Sequence, residues 1–154
     1  RGSALDLPFA DDSFDVAWMQ NVGMNIADKR KLYEEVYRVL KPGGRFAFQE
    51  MTAGKADASY FPLPWATDTA DNLLVSADEL HSLLGEGGFT AEYFEDVSNT
   101  QLNPSASSVS KISAQAQLSL STYVDDLGQK AENATRSLQE GQIRFVRGVF
   151  RVNN

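Results

Sequence analysis

The sequence contains no cysteine and a single histidine, His81. Without thiols there can be no disulfide bond, no thiolate metal site and no cysteine nucleophile, and we predict no metal site. His81 follows Leu80 in a predicted helix, away from the strand ends where open α/β sheets bind ligands, so we expect a surface position for it. A cysteine-free chain is consistent with a cytoplasmic protein, which is the location we predict.

Basic residues and long apolar runs are also scarce. The 14 Lys and Arg residues are outnumbered by 21 Asp and Glu residues, which gives a formal net charge of −7. Because proteins that bind phosphate backbones normally present a basic surface, we expect no nucleic-acid partner. No apolar run approaches the ~20 residues of a membrane-spanning helix, so we expect no membrane partner. The 154 residues are enough for one domain with a hydrophobic core.

Apolar periodicity in the first third of the chain predicts a strand, a helix and a second strand. Residues 14–19 are a short apolar run after turn-prone residues, which is typical of a parallel strand buried on both faces. Asp28 can cap a helix over residues 29–40. Pro42-Gly43-Gly44 can end that helix, because proline lacks the next hydrogen-bond donor and glycine tolerates the left-handed conformation.

The remainder of the chain continues the alternation. Ser76 and Glu79 form a capping box for a helix that ends at the glycines of residues 85–88. Residues 100–113, rich in serine and asparagine, are expected to be irregular at first. Further strands are predicted at 45–51, 89–96 and 143–152, and further helices at 114–124 and 127–140.

Two motifs flank the first strand and helix. Residues 4–15 have the sequence ALDLPFADDSFD, and residues 38–44 have the sequence RVLKPGG. With an apolar strand between them that ends in Trp18-Met19-Gln20-Asn21, this order resembles the class I S-adenosylmethionine-dependent methyltransferases. It is most similar to the small-molecule branch that includes ubiquinone, tocopherol and sarcosine methyltransferases.

The resemblance implies an α/β fold whose sheet has the strand order 3-2-1-4-5-7-6, with only strand 7 antiparallel. The predicted strands correspond to strands 4 to 7, so we expect a partial Rossmann-like sheet in the order 4-5-7-6, flanked by helices, with the N-terminal half of the fold missing. We expect one truncated domain over residues 1–154. Its parts are the cofactor-side motifs (1–51), a loop (52–75), a helix and strand (76–96), a helical lid (97–141) and a closing strand (142–154).

The glycine-rich loop that holds the cofactor in this family has no counterpart in the sequence. The glycine cluster at residues 85–88 follows a helix and precedes a strand, which is the reverse of the order that a cofactor loop requires. We therefore expect weak or no activity from this chain alone.

The resemblance also implies S-adenosylmethionine as the cofactor, contacted by two segments. The predicted contacts near the adenine are Ser3, Ala4 and Leu5, where serine replaces the acidic residue of the family. The predicted contacts near the cofactor's amino group are Met19, Gln20, Asn21 and Val22. We expect Trp18 and Met19 to pack in the core, with ligand contact as the alternative, and we expect Gln20 and Asn21 to face a ligand.

The predicted pocket for a small-molecule acceptor contains Asn25, Phe61, Trp65 and Tyr123. Core packing is an equal alternative for the three aromatic residues. In this chemistry the methyl group is already activated on a sulfonium, so positioning and proton removal supply most of the rate enhancement. We assign no catalytic residue.

Three functions remain open at this point. The first is methyl transfer to a small organic acceptor, the second is a non-catalytic module that oligomerises or completes a partner, and the third is a nucleotide-binding relative of another reaction class. The two motifs argue against the third. Because strand 4 would lack a neighbour on one side, we also expect a homodimer or higher oligomer through the exposed strand at 14–19.

Overall fold

The computed structural model describes residues 2–56, 58–102 and 125–153, and it contains a four-stranded sheet. The order is β1-β2-β4-β3, where β1 pairs with β2 in parallel and β4 is antiparallel to both of its neighbours. The predicted order 4-5-7-6 with an antiparallel last strand is confirmed. The strands are β1 (Phe14–Gln20), β2 (Leu40–Ala53), β3 (Phe89–Asp96) and β4 (Ile143–Val152).

Two of the helices begin where the sequence predicts a cap. Asp28 accepts a hydrogen bond from the Lys31 amide at 2.9 Å, and Ser76 accepts one from the Glu79 amide at 3.1 Å. These side chains satisfy amides that the first helical turn leaves without a partner. The helices are α1 (Lys29–Val39), α2 (Ala77–Glu86), α3 (Ser98–Leu102) and α4 (Leu127–Gln139), and a 3-10 turn covers Gly23–Asn25.

The end of α1 differs from the prediction. The helix ends at Val39 and the chain enters β2 at once, so the Pro42-Gly43-Gly44 segment lies inside a strand. The β1–β2 register slips between the pairs Phe14–Leu40 and Val16–Arg45, so this segment forms a bulge. A bulge tolerates proline because it leaves the ladder locally, and Gly43 has a φ of 75°, which favours glycine.

The segment after β3 is also more regular than predicted. Residues 100–102, predicted to be irregular, belong to a short helix over Ser98–Leu102. The carboxylate of Asp96, two residues before the helix, accepts from the Ser98 amide at 2.9 Å. The helix predicted at 114–124 lies outside the described residues. The helix predicted at 127–140 and the strands predicted at 89–96 and 143–152 are confirmed.

The main core lies between the sheet and helices α1 and α2. Alternate residues of β2 point into it, including Phe46 and Phe48, and Phe150 of β4 stacks on Phe48 at 5.7 Å between ring centroids. On the opposite face of β1, Phe14, Val16 and Trp18 are 37%, 59% and 64% exposed, so the prediction that this strand is buried on both faces is wrong. The prediction that Trp18 is buried is therefore wrong, because successive side chains of a strand point to opposite faces and the described helices cover only one face of β1.

A hydrogen-bonded clamp joins the two sequence motifs. Arg38 of α1 donates to the carbonyls of Leu7 at 3.0 Å and Phe9 at 2.8 Å, while Glu35 accepts from the Leu7 amide at 2.9 Å. Glu35 and Arg38 also pair with each other at 2.8 Å. The hydrogen bonds from Arg38, the Leu7 amide and Lys31 outweigh the effect of burial and lower the pKa of Glu35 to about 2. The motif of residues 4–15 is thus fixed to α1 by the residues that precede LKPGG.

Candidate functional site

The candidate site lies at the carboxyl end of β1, where the chain leaves the sheet. Asn21 follows the last residue of β1 with a φ of 53°, a left-handed conformation that asparagine adopts more readily than most residues. Its amide donates to the carbonyl of Gln49 at 2.9 Å. Its side-chain Oδ1 is buried and accepts no hydrogen bond from the described residues. A buried acceptor of this kind favours an N–H or O–H donor from outside the described chain.

The turn after Asn21 is held by a carboxylate from the neighbouring strand. Glu50 of β2 is 2% exposed, and its two oxygens accept from the amides of Val22 at 2.8 Å and Gly23 at 3.1 Å. A Cβ at Gly23 would lie 3.2 Å from Glu50 Oε2, which leaves little room for a side chain there. Glu50 therefore fixes both the direction of the turn and its close approach to β2.

A buried lysine holds the same turn from the other side. Lys29, at the start of α1, is 8% exposed. Its ammonium donates to the carbonyls of Gly23 at 2.8 Å and Leu73 at 2.8 Å, and it also donates to the carbonyl of Ile26. These three bonds use all the donors of an ammonium group. Gly23 is thus bonded through its amide to an acidic side chain and through its carbonyl to a basic one.

Burial dominates the electrostatics of this cluster. It lowers the pKa of Lys29, an effect that the nearby Glu50 charge partly offsets. It raises the pKa of Glu50, against the opposing effects of the amide donors and of Lys29. It also raises the pKa of Tyr33, which the Glu50 charge raises further. The two opposite charges therefore support each other in a site that would disfavour either one alone.

A cavity of about 430 Å³ opens beside this turn. Asn25, at the end of the 3-10 turn, and Trp65, in the loop after β2, both line it, so the structure brings these two predicted pocket residues together. Trp65 also packs against a second apolar cluster, so it serves both the pocket and the core. The lining further includes Leu63, Asp71, Leu73 and Lys130.

The other predicted pocket residues are not brought to this cavity. Phe61 is half-buried and is not among the residues that line the cavity, and Tyr123 lies outside the described residues. His81 is exposed, as expected, with its ring against Phe94 and Phe150 at 5.4 and 5.5 Å between centroids.

The predicted cofactor contacts occupy two distinct settings. Ser3 is exposed and its hydroxyl accepts from the Leu5 amide at 3.1 Å, while Ala4 and Leu5 pack against the main core. At the end of β1, Met19 is buried in that core, which agrees with core packing for its side chain. Gln20 and Val22 are exposed beside Asn21. The cofactor roles of these seven residues stay predictions.

Sequence reasoning missed Glu50 and Lys29. A signal for Glu50 exists, since the buried face of β2 follows the alternation Phe46, Phe48, Glu50, and a carboxylate in such a series needs buried donors. Lys29 has no comparable signal, because a lysine in the first turn of a helix normally faces water.

In residues 2–56, 58–102 and 125–153, no helix is long and apolar enough to cross a membrane. Over those ranges, no three His, Asp or Glu side chains lie together in a way that could hold a metal ion.

Comparison with known proteins gives consistent matches. A family model described as a methyltransferase domain matches residues 1–48. The O-methyltransferase resE of Aspergillus sclerotiorum is 34% identical over 100 residues, which covers 62% of this chain and 36% of the relative. The glycine/sarcosine/dimethylglycine N-methyltransferase of Actinopolyspora halophila is 37% identical over 91 residues, which covers 57% of this chain and 14% of the relative. The predicted relationship to the class I methyltransferases is confirmed.

A solved methyltransferase shares the fold. The geranyl diphosphate C-methyltransferase of Streptomyces coelicolor A3(2), solved with Mg²⁺, geranyl diphosphate and S-adenosylhomocysteine, has a TM-score of 0.69 at 17% identity. The match covers 97% of this chain and 50% of that one. At this identity the likeness establishes the fold alone. The chain spans no more than about a third of the two curated relatives, so their activities belong to larger proteins.

Proposed function

We propose that this methyltransferase-related chain contributes to S-adenosylmethionine-dependent methyl transfer to a small organic acceptor. The observation that carries the proposal is the buried Oδ1 of Asn21, which lacks a donor among the described residues. The resemblance implies that the cofactor's amino group lies at this turn, and an amino group would supply the missing N–H. The cofactor, when bound, supplies a methyl group activated on its sulfonium.

The residues of the turn fit this ligand better than those near Ser3. Asn21 offers a buried acceptor, and Gln20 and Val22 are exposed beside it. Ser3 already accepts from the Leu5 amide, and it carries no charge that would select an adenine amine. The sequence also has no glycine-rich loop between a strand and a helix. We therefore propose weak binding and weak or no activity for this chain alone.

The acceptor site in this proposal is the cavity lined by Asn25 and Trp65. Lys130 of α4 reaches the same cavity, which supports a lid role for α4, the part of the predicted lid (97–141) that carries Lys130. The indole and Leu63 offer apolar contact, while Asp71 and Lys130 offer charge to a polar group of the acceptor. Because the curated relatives include both an O- and an N-methyltransferase, the proposal names a small organic acceptor and not the methylated atom. We propose a cytoplasmic setting, since a cysteine-free chain needs no oxidising compartment.

The proposal is tested by calorimetric titration of the chain with S-adenosylhomocysteine. We expect a dissociation constant below about 1 mM. Asn21→Gly keeps the left-handed backbone accessible while removing the side-chain acceptor, and it should weaken binding about tenfold. Asp12→Gly is the matched control, because Asp12 has a φ of 55° and is exposed in the loop before β1. Equal affinity in the two variants would contradict the role of Asn21.

A second candidate function is a non-catalytic module that pairs through β1. Phe14, Val16 and Trp18 of this strand are 37%, 59% and 64% exposed. In the described part of the chain, β1 pairs only with β2, so its other edge is available. We propose that a second copy of the chain binds there, because a strand edge is self-complementary about a two-fold axis. Absence of S-adenosylhomocysteine binding together with a stable dimer would favour this function.

Light scattering at increasing concentration tests the dimer. Trp18→Glu should shift the chain towards monomer, because it adds like charges at the proposed contact. Tyr93→Glu is the control, since Tyr93 is 45% exposed on β3 at the opposite edge of the sheet. A monomeric wild-type chain at all concentrations would contradict the proposal.

A further inference from the structure

The Lys29 ammonium is bonded to two parts of the candidate site that are far apart in sequence. It donates to Gly23 in the turn after β1, and it donates to Leu73 in the loop between β2 and α2. Gly23 lies two residues from Asn21, on the proposed cofactor side. Leu73 lines the proposed acceptor cavity. A single buried side chain therefore connects the two sides.

The connection is rigid because the hydrogen bonds of Lys29 and Glu50 hold the turn from two sides. The ammonium has three carbonyl acceptors for its three donors, and Glu50 fixes the amides of Val22 and Gly23 from the opposite side. Both charged side chains are buried, so water does not compete for these bonds.

The connection continues to the indole of Trp65. Trp65 donates from Nε1 to Asn72 Oδ1 at 3.1 Å, and Asn72 precedes Leu73. Trp65 and Leu73 line the same cavity. A movement of the Leu73 carbonyl away from Lys29 would therefore shift the backbone next to Asn72, whose side chain holds the Trp65 indole at the cavity wall.

We propose that Lys29 and Glu50 are positioning residues that couple the turn of Asn21 to the wall of the acceptor cavity at Leu73 and Trp65. This coupling keeps the proposed cofactor side and the proposed acceptor side in one fixed geometry. The functional meaning of this coupling rests on the proposed function, but the coupling itself can be measured without cofactor. If S-adenosylhomocysteine fails to bind while the coupling is observed, the proposed function fails alone.

The test uses Lys29→Met, which keeps an unbranched side chain only one atom shorter and removes the three donors. In a Trp18→Phe background, Trp65 is the only tryptophan, so its quenching by acrylamide reports on the cavity wall. We expect faster amide exchange at Val22 and Gly23 by at least about tenfold, and a clear rise in Trp65 quenching, while exchange in the β3–β4 ladder stays unchanged. A role limited to overall stability would raise exchange in that ladder as well.

Lys31→Met is the matched control, because Lys31 lies on the same helix and its ammonium bonds only with Glu35 among the described residues. It should leave Trp65 quenching and exchange at Gly23 unchanged. Unchanged quenching in Lys29→Met despite faster exchange at Gly23 would overturn the coupling. If Lys29→Met does not fold, Glu50→Gln replaces it with the same expected results. Unprotected Val22 and Gly23 amides in the wild-type chain would overturn the proposal directly.

Discussion

The clamp between α1 and residues 7–11 gives a quantitative prediction for Glu35→Gln. The side chain of Glu35 is 7% exposed and accepts from Arg38, from Lys31 and from the Leu7 amide. Lowering its pKa from 4.5 to about 2 corresponds to about 3 kcal/mol of stability at pH 7. Because the side chain of Arg38 is 30% exposed, solvent screening reduces this contribution, and we expect Glu35→Gln to lower the unfolding free energy by about 2 kcal/mol.

The pH dependence has a definite sign. The pKa of Glu35 is lowered on folding, so its contribution is fully present above about pH 4.5 and disappears as the pH falls towards about 2. The difference in unfolding free energy between wild type and Glu35→Gln should therefore be constant near neutrality and roughly halved near pH 3. Urea denaturation followed by circular dichroism measures this difference at each pH.

Glu34→Gln provides the control for this experiment. It makes the same charge change one position away on the same helix, where Glu34 is exposed. We expect an effect within about 0.5 kcal/mol. Equal losses in the two variants, or a Glu35→Gln difference that stays constant down to pH 3, would refute the clamp.

Two further predictions concern packing and capping. Gly148→Ala should destabilise the fold by about 1–3 kcal/mol in urea denaturation, because its Cβ would lie 2.7 Å from Phe48 Cε1. Gly85→Ala is the control and should not destabilise the fold, since no atom lies within 4 Å of a Cβ there. Equal losses of stability in the two variants would contradict this packing. Ser76→Ala should lower the unfolding free energy by about 1 kcal/mol through loss of the α2 cap, whereas Ser82→Ala, which removes only a bond to the Asp78 carbonyl, should have little effect.

Local signals in the sequence predicted most of the fold. Caps at Asp28 and Ser76 and the alternation in residues 89–96 depend on neighbouring residues, so they could be recognised without tertiary structure. The failures have tertiary causes. The Pro42-Gly43-Gly44 segment has the composition of a helix stop, but pairing with β1 draws it into a bulged strand. Trp18 is apolar in a central run, yet its exposure depends on which face the helices cover.

Only the part of the candidate site that depends on the order of the strands could be predicted from the sequence. The position of Asn21 at the end of a parallel strand predicts a ligand site on general grounds. The bonds that shape the site come from Glu50 and Lys29, which approach Gly23 from a neighbouring strand and from a helix start. Each of these two charges would be costly to bury alone, and their common attachment to one glycine is visible only after folding. A charged residue among the alternating apolar residues of a strand therefore indicates that its side chain binds polar groups nearby. The sequence does not show which turn supplies those groups.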